Sequence, residues 1–173
     1  ANMRRFIFLL VFLAGWTISG GPPAVAEAVK HMGTSGKWLA YQFNEKGGRV
    51  CYLASAPVRS EGKYTRRGDI YVLVTHSRAA KSRGVVSVVA GYTFATDSEV
   101  EVRISGRKFK MFTQDDRAWT ENGKADAKLV QAMKRGMKME VRGRSSRGTK
   151  TRDIYSLKGF TAGMRMIDKA CAG

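Results

Sequence analysis

Histidine is so scarce in this chain that its absence excludes more functions than any motif suggests. The 173 residues contain two. His31 lies in the expected N-terminal tail and His76 ends an apolar segment, so a histidine-based zinc site or a Ser-His-Asp arrangement would have to rest on His76. Cysteine is equally sparse. Cys51 and Cys171 lie 120 positions apart, and no Cys-x-x-Cys spacing exists to support thiol-disulfide exchange. Acidic residues number 14 against 31 lysines and arginines, a formal charge of +17. No apolar run approaches the ~20 residues that cross a bilayer as a helix. No repeat, linker or low-complexity tract marks a second domain.

The apolar stretch near the start, Phe6 to Trp16, follows Arg4 and Arg5. It runs into the breakers Ser19-Gly20-Gly21-Pro22-Pro23 and then the small residues Ala24-Val25-Ala26-Glu27-Ala28. That order reads as a secretory signal peptide over residues 1–28, cleaved after Ala26 or Ala28, with retention as an anchor the alternative. Residues 29–173 then suffice for one domain with one core.

Export decides how the rest is read. In an oxidising compartment Cys51 and Cys171 are a candidate disulfide, two free buried thiols being the competing reading. On the chain-entropy account, closing so long a loop stabilises by at most about 5 kcal/mol. Residues 1–26 contain two bases and no acid, so the leader does not account for the charge. The excess points to polyanions: lipopolysaccharide, anionic lipid, or sulfated or phosphorylated host polymers. Export argues against nucleic acid as the partner, and a merely solvated basic surface is the plain alternative.

Past the leader, short β patterns succeed one another. Lys37 to Phe43 and Arg49 to Ser55 flank a glycine-containing loop and read as a hairpin. Asp69 to His76 and Val85 to Tyr92 read as strands, the first buried on both faces. Glu99 to Ile104 alternates cleanly and turns at Ser105-Gly106 into Arg107 to Phe112. Met137 to Arg142 and Arg152 to Leu157 bracket a polar loop. About eight strands suit a sandwich or barrel. Ala125 to Arg135, with Gly136 as C-cap, and Thr161 to Ala170 have helical spacing; Phe160, Met164, Ile167 and Cys171 share one face of the second.

Chemistry is harder to place. Asp115-Asp116 could pair as acid and base or bind a cation, yet adjacent carboxylates usually make a solvated turn. Gly143 and Gly148 imitate a phosphate-binding loop, but Lys150 falls one place late and the segment enters a strand, so nucleotide binding is discarded. Arg67-Gly68-Asp69 reproduces a tripeptide that integrins recognise, and Gly68 is equally a turn residue. The basic loop is the more credible working surface. Arg142, Arg144, Arg147, Lys150 and Arg152 are interleaved with glycine, serine and threonine, and are expected to contact phosphate or sulfate through arginine forks, hydroxyls and glycine amides. The plain alternative is a hairpin kept soluble by its charges.

The tracts Val50-Cys51-Tyr52-Leu53, Arg67-Gly68-Asp69-Ile70-Tyr71, Val86-Ser87-Val88 with Gly91-Tyr92, Ala118-Trp119 and Leu129 to Lys134 carry a resemblance. So do Ser145-Ser146-Arg147-Gly148-Thr149-Lys150-Thr151, Asp153 to Ala162 and Ile167 to Cys171. From about Trp38 to Cys171 the chain resembles the invasion-associated locus B family of exported, mostly alphaproteobacterial proteins. The resemblance implies a mainly β, immunoglobulin-like antiparallel β-sandwich located in the periplasm or at the outer membrane. It also implies an association with host-cell invasion in some pathogens, and no established catalytic activity. Some members carry a further cysteine soon after the early tryptophan, where this chain has Tyr41 and Gln42, so no second bridge is expected.

Three functions remain as expectations. The first is a non-enzymatic envelope protein that needs no small-molecule cofactor and contacts anionic lipid, lipopolysaccharide or sulfated glycan through its basic surface. The second is an accessory or structural subunit of a membrane protein complex. The third is an enzyme built on His76 and Asp69.

Overall fold

The alternating segments pair into one antiparallel sheet. The computed structural model describes residues 28–172, so all of the expected leader except Ala28 lies outside the described residues. The strands are β1 (Lys30–Ser35), β2 (Trp38–Glu45), β3 (Gly48–Ser55), β4 (Arg59–Gly62), β5 (Tyr71–Ser77), β6 (Ser82–Val89), β7 (Glu99–Ile104), β8 (Arg107–Gln114), β9 (Arg117–Trp119), β10 (Lys138–Arg144) and β11 (Lys150–Ser156). Two helices, α1 (Gly123–Arg135) and α2 (Phe160–Ala170), complete the set. The strand order is β1-β2-β3-β5-β6-β9-β8-β7-β10-β11-β4.

All eight expected strands are present, but the described residues form eleven. The three additions are β1, β4 and β9. β4 and β9 have four and three residues, too few for alternation to register, and β1 is mostly polar and falls in the stretch read as a tail. β9 has a specific consequence. It hydrogen-bonds to β6 on one side and β8 on the other, so the two layers of the sandwich are halves of one continuous sheet.

Period-two alternation places one apolar set inside. Trp38, Leu53, Val72, Val74, Val86 and Val88 from the first half meet Val100, Val102, Ile104, Met139, Val141 and Tyr155 from the second in one cluster. Each large side chain buried there stabilises by about 1.5–3 kcal/mol. The indole Nε1 of Trp38 donates to the Ser156 carbonyl at 3.0 Å, tying β2 to β11. On β5 only Val72, Val74 and His76 are fully buried. Tyr71 and Leu73 are half-buried, so the expectation that both faces of this strand are covered is not met.

Helix α2 buries the face its spacing predicts, with Phe160, Met164 and Ile167 inward and Trp38 edge-on to Phe160 at 4.8 Å. Asn122 caps α1 by accepting from the Ala125 amide at 3.0 Å. The buried Asp126 of α1 accepts from the Val86 amide at 2.9 Å and the Thr120 hydroxyl at 2.8 Å, fastening the helix to β6. Gly136 ends α1 with φ −90, so it is not there for left-handed freedom. A Cβ would meet Ile104 Cγ2 at 2.5 Å, and glycine is required for room.

Candidate functional site

The β10–β11 hairpin carries the basic residues singled out in the sequence, and its register divides them. Arg142 and Arg152 stand directly opposite each other on the strands. Glu140, two positions before Arg142 and therefore on the same face, serves both. Arg142 Nε pairs with one carboxylate oxygen of Glu140, and Arg152 Nη2 binds the other at 2.6 Å. Arg152 Nη1 also binds Glu61 of β4 at 3.1 Å. The hydrogen bond from Arg152, reinforced by Arg142, holds the Glu140 carboxyl below its ordinary range despite burial.

This pairing continues across the outer face. Lys110 meets Glu99 at 2.7 Å, Lys108 meets Glu101 at 3.7 Å, Arg103 pairs with Glu101, and Arg59 meets Glu61 at 2.7 Å. A groove of about 820 Å³ lies here, with Arg142, Arg144, Lys150 and Arg152 facing Glu61, Asp97, Glu99 and Glu101. Charge of both signs makes it a poor anion trap. Two members of the predicted cluster are thus committed to the sheet.

Arg144, Arg147 and Lys150 are different. They are exposed, and no acid or carbonyl among the described residues accepts from their side chains. The glycine amide expected to face an anion is consumed, however, because the turn bonds to itself: Gly148 N–H donates to the Ser145 carbonyl at 2.8 Å and Thr149 N–H to the Ser145 hydroxyl at 3.2 Å. Ligand contact therefore falls to side chains.

Arg147 faces away from the mixed groove, toward Lys63 and Arg66. These two bases escaped the sequence reading because β4–β11 pairing, which sets Gly62 opposite Thr151, is what brings them alongside. Neither has an acid partner among the described residues.

The neighbouring Arg67 has the opposite fate. Its side chain and that of Asp153 are each 3% exposed. Nη1 and Nη2 donate to the two oxygens of Asp153 at 2.8 and 2.6 Å, and Nε donates to the Ala90 carbonyl at 2.7 Å. Burial disfavours the Arg67 charge, but Asp153 more than offsets it and raises the guanidinium above its ordinary value. Tyr64 and Tyr92 place their rings 5.3 and 4.9 Å from it. An arginine so enclosed is not presented to a receptor, which removes the Arg67-Gly68-Asp69 tripeptide as an adhesion motif. Gly68 N–H instead donates to the Gly91 carbonyl at 2.8 Å. Gly91, at φ 71, is required because a Cβ would sit 2.4 Å from the Gly68 oxygen.

Beyond the far end of β5, Cys51 and Cys171 form a disulfide. Three arginines surround it. Arg49 donates to the Ala170 carbonyl at 3.0 Å, Arg83 to that of Cys171 at 3.2 Å, and Arg78 to that of Ala172. They satisfy orphan carbonyls at the negative end of the α2 dipole. His76 is buried nearby. Its Nδ1 accepts from the Gly84 amide at 2.8 Å, which makes Nε2 the protonated nitrogen donating to Asp168 at 2.8 Å. Both nitrogens are occupied in holding α2 to the sheet, and Asp69 lies at the other end of β5, so the structure does not bring these two together. Asp115 and Asp116 are exposed in the β8–β9 turn, their carbonyls accepting from Phe94 and Ala90.

Among the described residues, no group of three histidine, cysteine or acidic side chains could hold a metal ion, and no helix is long and apolar enough to cross a membrane. A family model, invasion associated locus B (IalB) protein, matches residues 38–168. The fold is similar to the crystal structure of invasion associated protein B from Bartonella henselae, with TM-score 0.55 and 15% identity over 80% of this chain and 95% of that one. At that identity the likeness concerns fold alone. No curated protein sequence matches the chain. Neither description names a catalytic activity.

Proposed function

We propose a function for a chain that belongs to the invasion associated locus B family: an exported, non-enzymatic protein of the periplasm or outer membrane that contacts anionic envelope or host components through a basic surface. The supporting observation is the gathering of five exposed cations, Lys63, Arg66, Arg144, Arg147 and Lys150, around one turn with no internal acceptor among the described residues. Uncompensated charge on side chains already in water is available for lipopolysaccharide, anionic lipid or sulfated glycan without breaking a bond of the fold. Replacing all five by serine is expected to abolish salt-sensitive binding to lipopolysaccharide, phosphatidylglycerol vesicles and heparin while leaving thermal stability unchanged. Unchanged binding would reduce the surface to a solubilising one.

A second reading, an accessory subunit of a membrane protein complex, rests on the outer face of the other half-sheet. Tyr41 stacks on Tyr52 at 5.2 Å and Phe43 meets Tyr52 at 6.3 Å, side by side on β2 and β3. Aromatic side chains are enriched in protein contacts. Native mass measurement of membrane extracts, with Tyr41→Ser and Tyr52→Ser as controls, separates subunit from free protein.

A further inference from the structure

The groove on the Arg147 side of the β10–β11 turn is a built recess. Its volume is about 720 Å³, inside the ~300–1,000 Å³ range of small-ligand sites. Lys63, Arg66 and Arg147 line it and no carboxylate does, whereas four carboxylates line the mixed groove on the outer face. Between the cations the lining is rich in hydroxyls, including those of Tyr64, Thr93, Ser146 and Thr149. The hydroxyls of Tyr92 and Thr151 lie 2.6 Å apart. Whichever donates, the other keeps its hydrogen for a ligand.

The walls come from three distant parts of the chain, and each is fastened. Ser146 N–H donates to the Thr93 carbonyl at 2.8 Å, Phe94 bridges Ser145, and Gly68 is tied to Gly91. Beside Lys63 and Arg66, Arg67 is locked to Asp153. A cavity fixed in this way does not have to order its backbone when it binds.

We infer that this groove binds a phosphorylated or sulfated sugar, the oxyanion ester held by Lys63, Arg66 and Arg147 and the ring hydroxyls by the surrounding serine, threonine and tyrosine oxygens. Guanidinium forks match the oxygens of both esters. A saccharide is the ligand whose alternating donors and acceptors use a hydroxyl lining. A flat anionic bilayer meets protruding side chains and has no use for a recess. The inference rests on the anion-contact function proposed above and narrows it to one side of the turn.

The test is an NMR titration of the purified chain with N-acetylglucosamine 6-phosphate, its 6-sulfate, unsubstituted N-acetylglucosamine and inorganic phosphate. At least one ester is expected to bind, with the phosphate and sulfate arms identifying which, and the last two probes should bind about tenfold more weakly or worse. The Arg66→Ser/Arg147→Ser pair should lose about tenfold in ester affinity, and the Arg144→Ser/Lys150→Ser pair less than about twofold. All four positions are exposed, so folding is not at risk. No ester binding, ester binding indifferent to Arg66 and Arg147, or inorganic phosphate binding as tightly as the esters would each overturn the inference. Parallel heparin and lipopolysaccharide binding separates the two levels. If only the Arg144/Lys150 pair weakens it, the groove fails and the broader anion function survives; if neither pair weakens it, both fail.

Discussion

After β5, Arg78 and Arg83 join Arg49 in donating to the carbonyls of Ala170, Cys171 and Ala172 where α2 ends; before it, Arg66, with Arg147 across the groove, meets no acceptor among the described residues. The two groups are alike in residue type, and accessibility does not separate them, since the Arg83 side chain is still 54% exposed. What differs is the presence of a fixed oxygen. An arginine with such a partner belongs to the fold, and one without it is free for a ligand. Arg66 and Arg67 show both fates in consecutive residues. Net charge is therefore a weak guide here to where an anion would bind.

The strongest attack on that distinction is Asp153→Ala, which leaves the Arg67 guanidinium buried and unpaired. It should cost about 3–5 kcal/mol in urea unfolding, whereas the apolar pair Arg67→Met/Asp153→Leu should cost far less. A loss below about 1 kcal/mol for the single change would place Arg67 among the free cations. Next comes the double change Cys51→Ala/Cys171→Ala, which opens a loop of 120 positions. Chain entropy predicts a loss of about 2–5 kcal/mol, read as a lower thermal midpoint. If the arginines hold the end of α2 by themselves, the loss will be small.

The acid limb gives a gentler test. Arg152 and Arg142 hold folded Glu140 below its ordinary value of 4.5, so between the two values the unfolded chain binds the proton and the folded one does not. The stabilisation is complete above about pH 5 and is lost as pH falls through the folded value. Glu140→Gln should therefore flatten the fall in stability on acidification; an unchanged slope would mean that the pair contributes little. Smallest of all, Arg66→Ser and Arg147→Ser should each change stability by less than about 0.5 kcal/mol.

Much of this architecture is legible in the residues. Val100, Val102 and Ile104 declare a strand by alternation, and Phe160, Met164 and Ile167 a helix by spacing. Cys51 and Cys171, read as a candidate bridge, form one. The basic loop is only half legible. Arg142 and Arg152 read as free cations, although Glu140, two places from Arg142 in a strand, already signals a same-face partner. Glu61 does not announce itself, because its pairing with Arg152 crosses 91 positions. Lys63 and Arg66 escape for the same reason, belonging to a stretch whose neighbours are set by the four-residue strand β4.

Two triple variants that remove the same charge provide the most direct measurement: Arg49→Ser/Arg78→Ser/Arg83→Ser against Arg66→Ser/Arg144→Ser/Arg147→Ser. Each is read for its urea midpoint and for heparin affinity at several salt concentrations. The first is expected to lose stability and keep its affinity and salt dependence, and the second to keep stability and lose affinity with a shallower salt dependence. Equal losses of affinity in both would contradict that distinction, leaving net charge alone to explain binding.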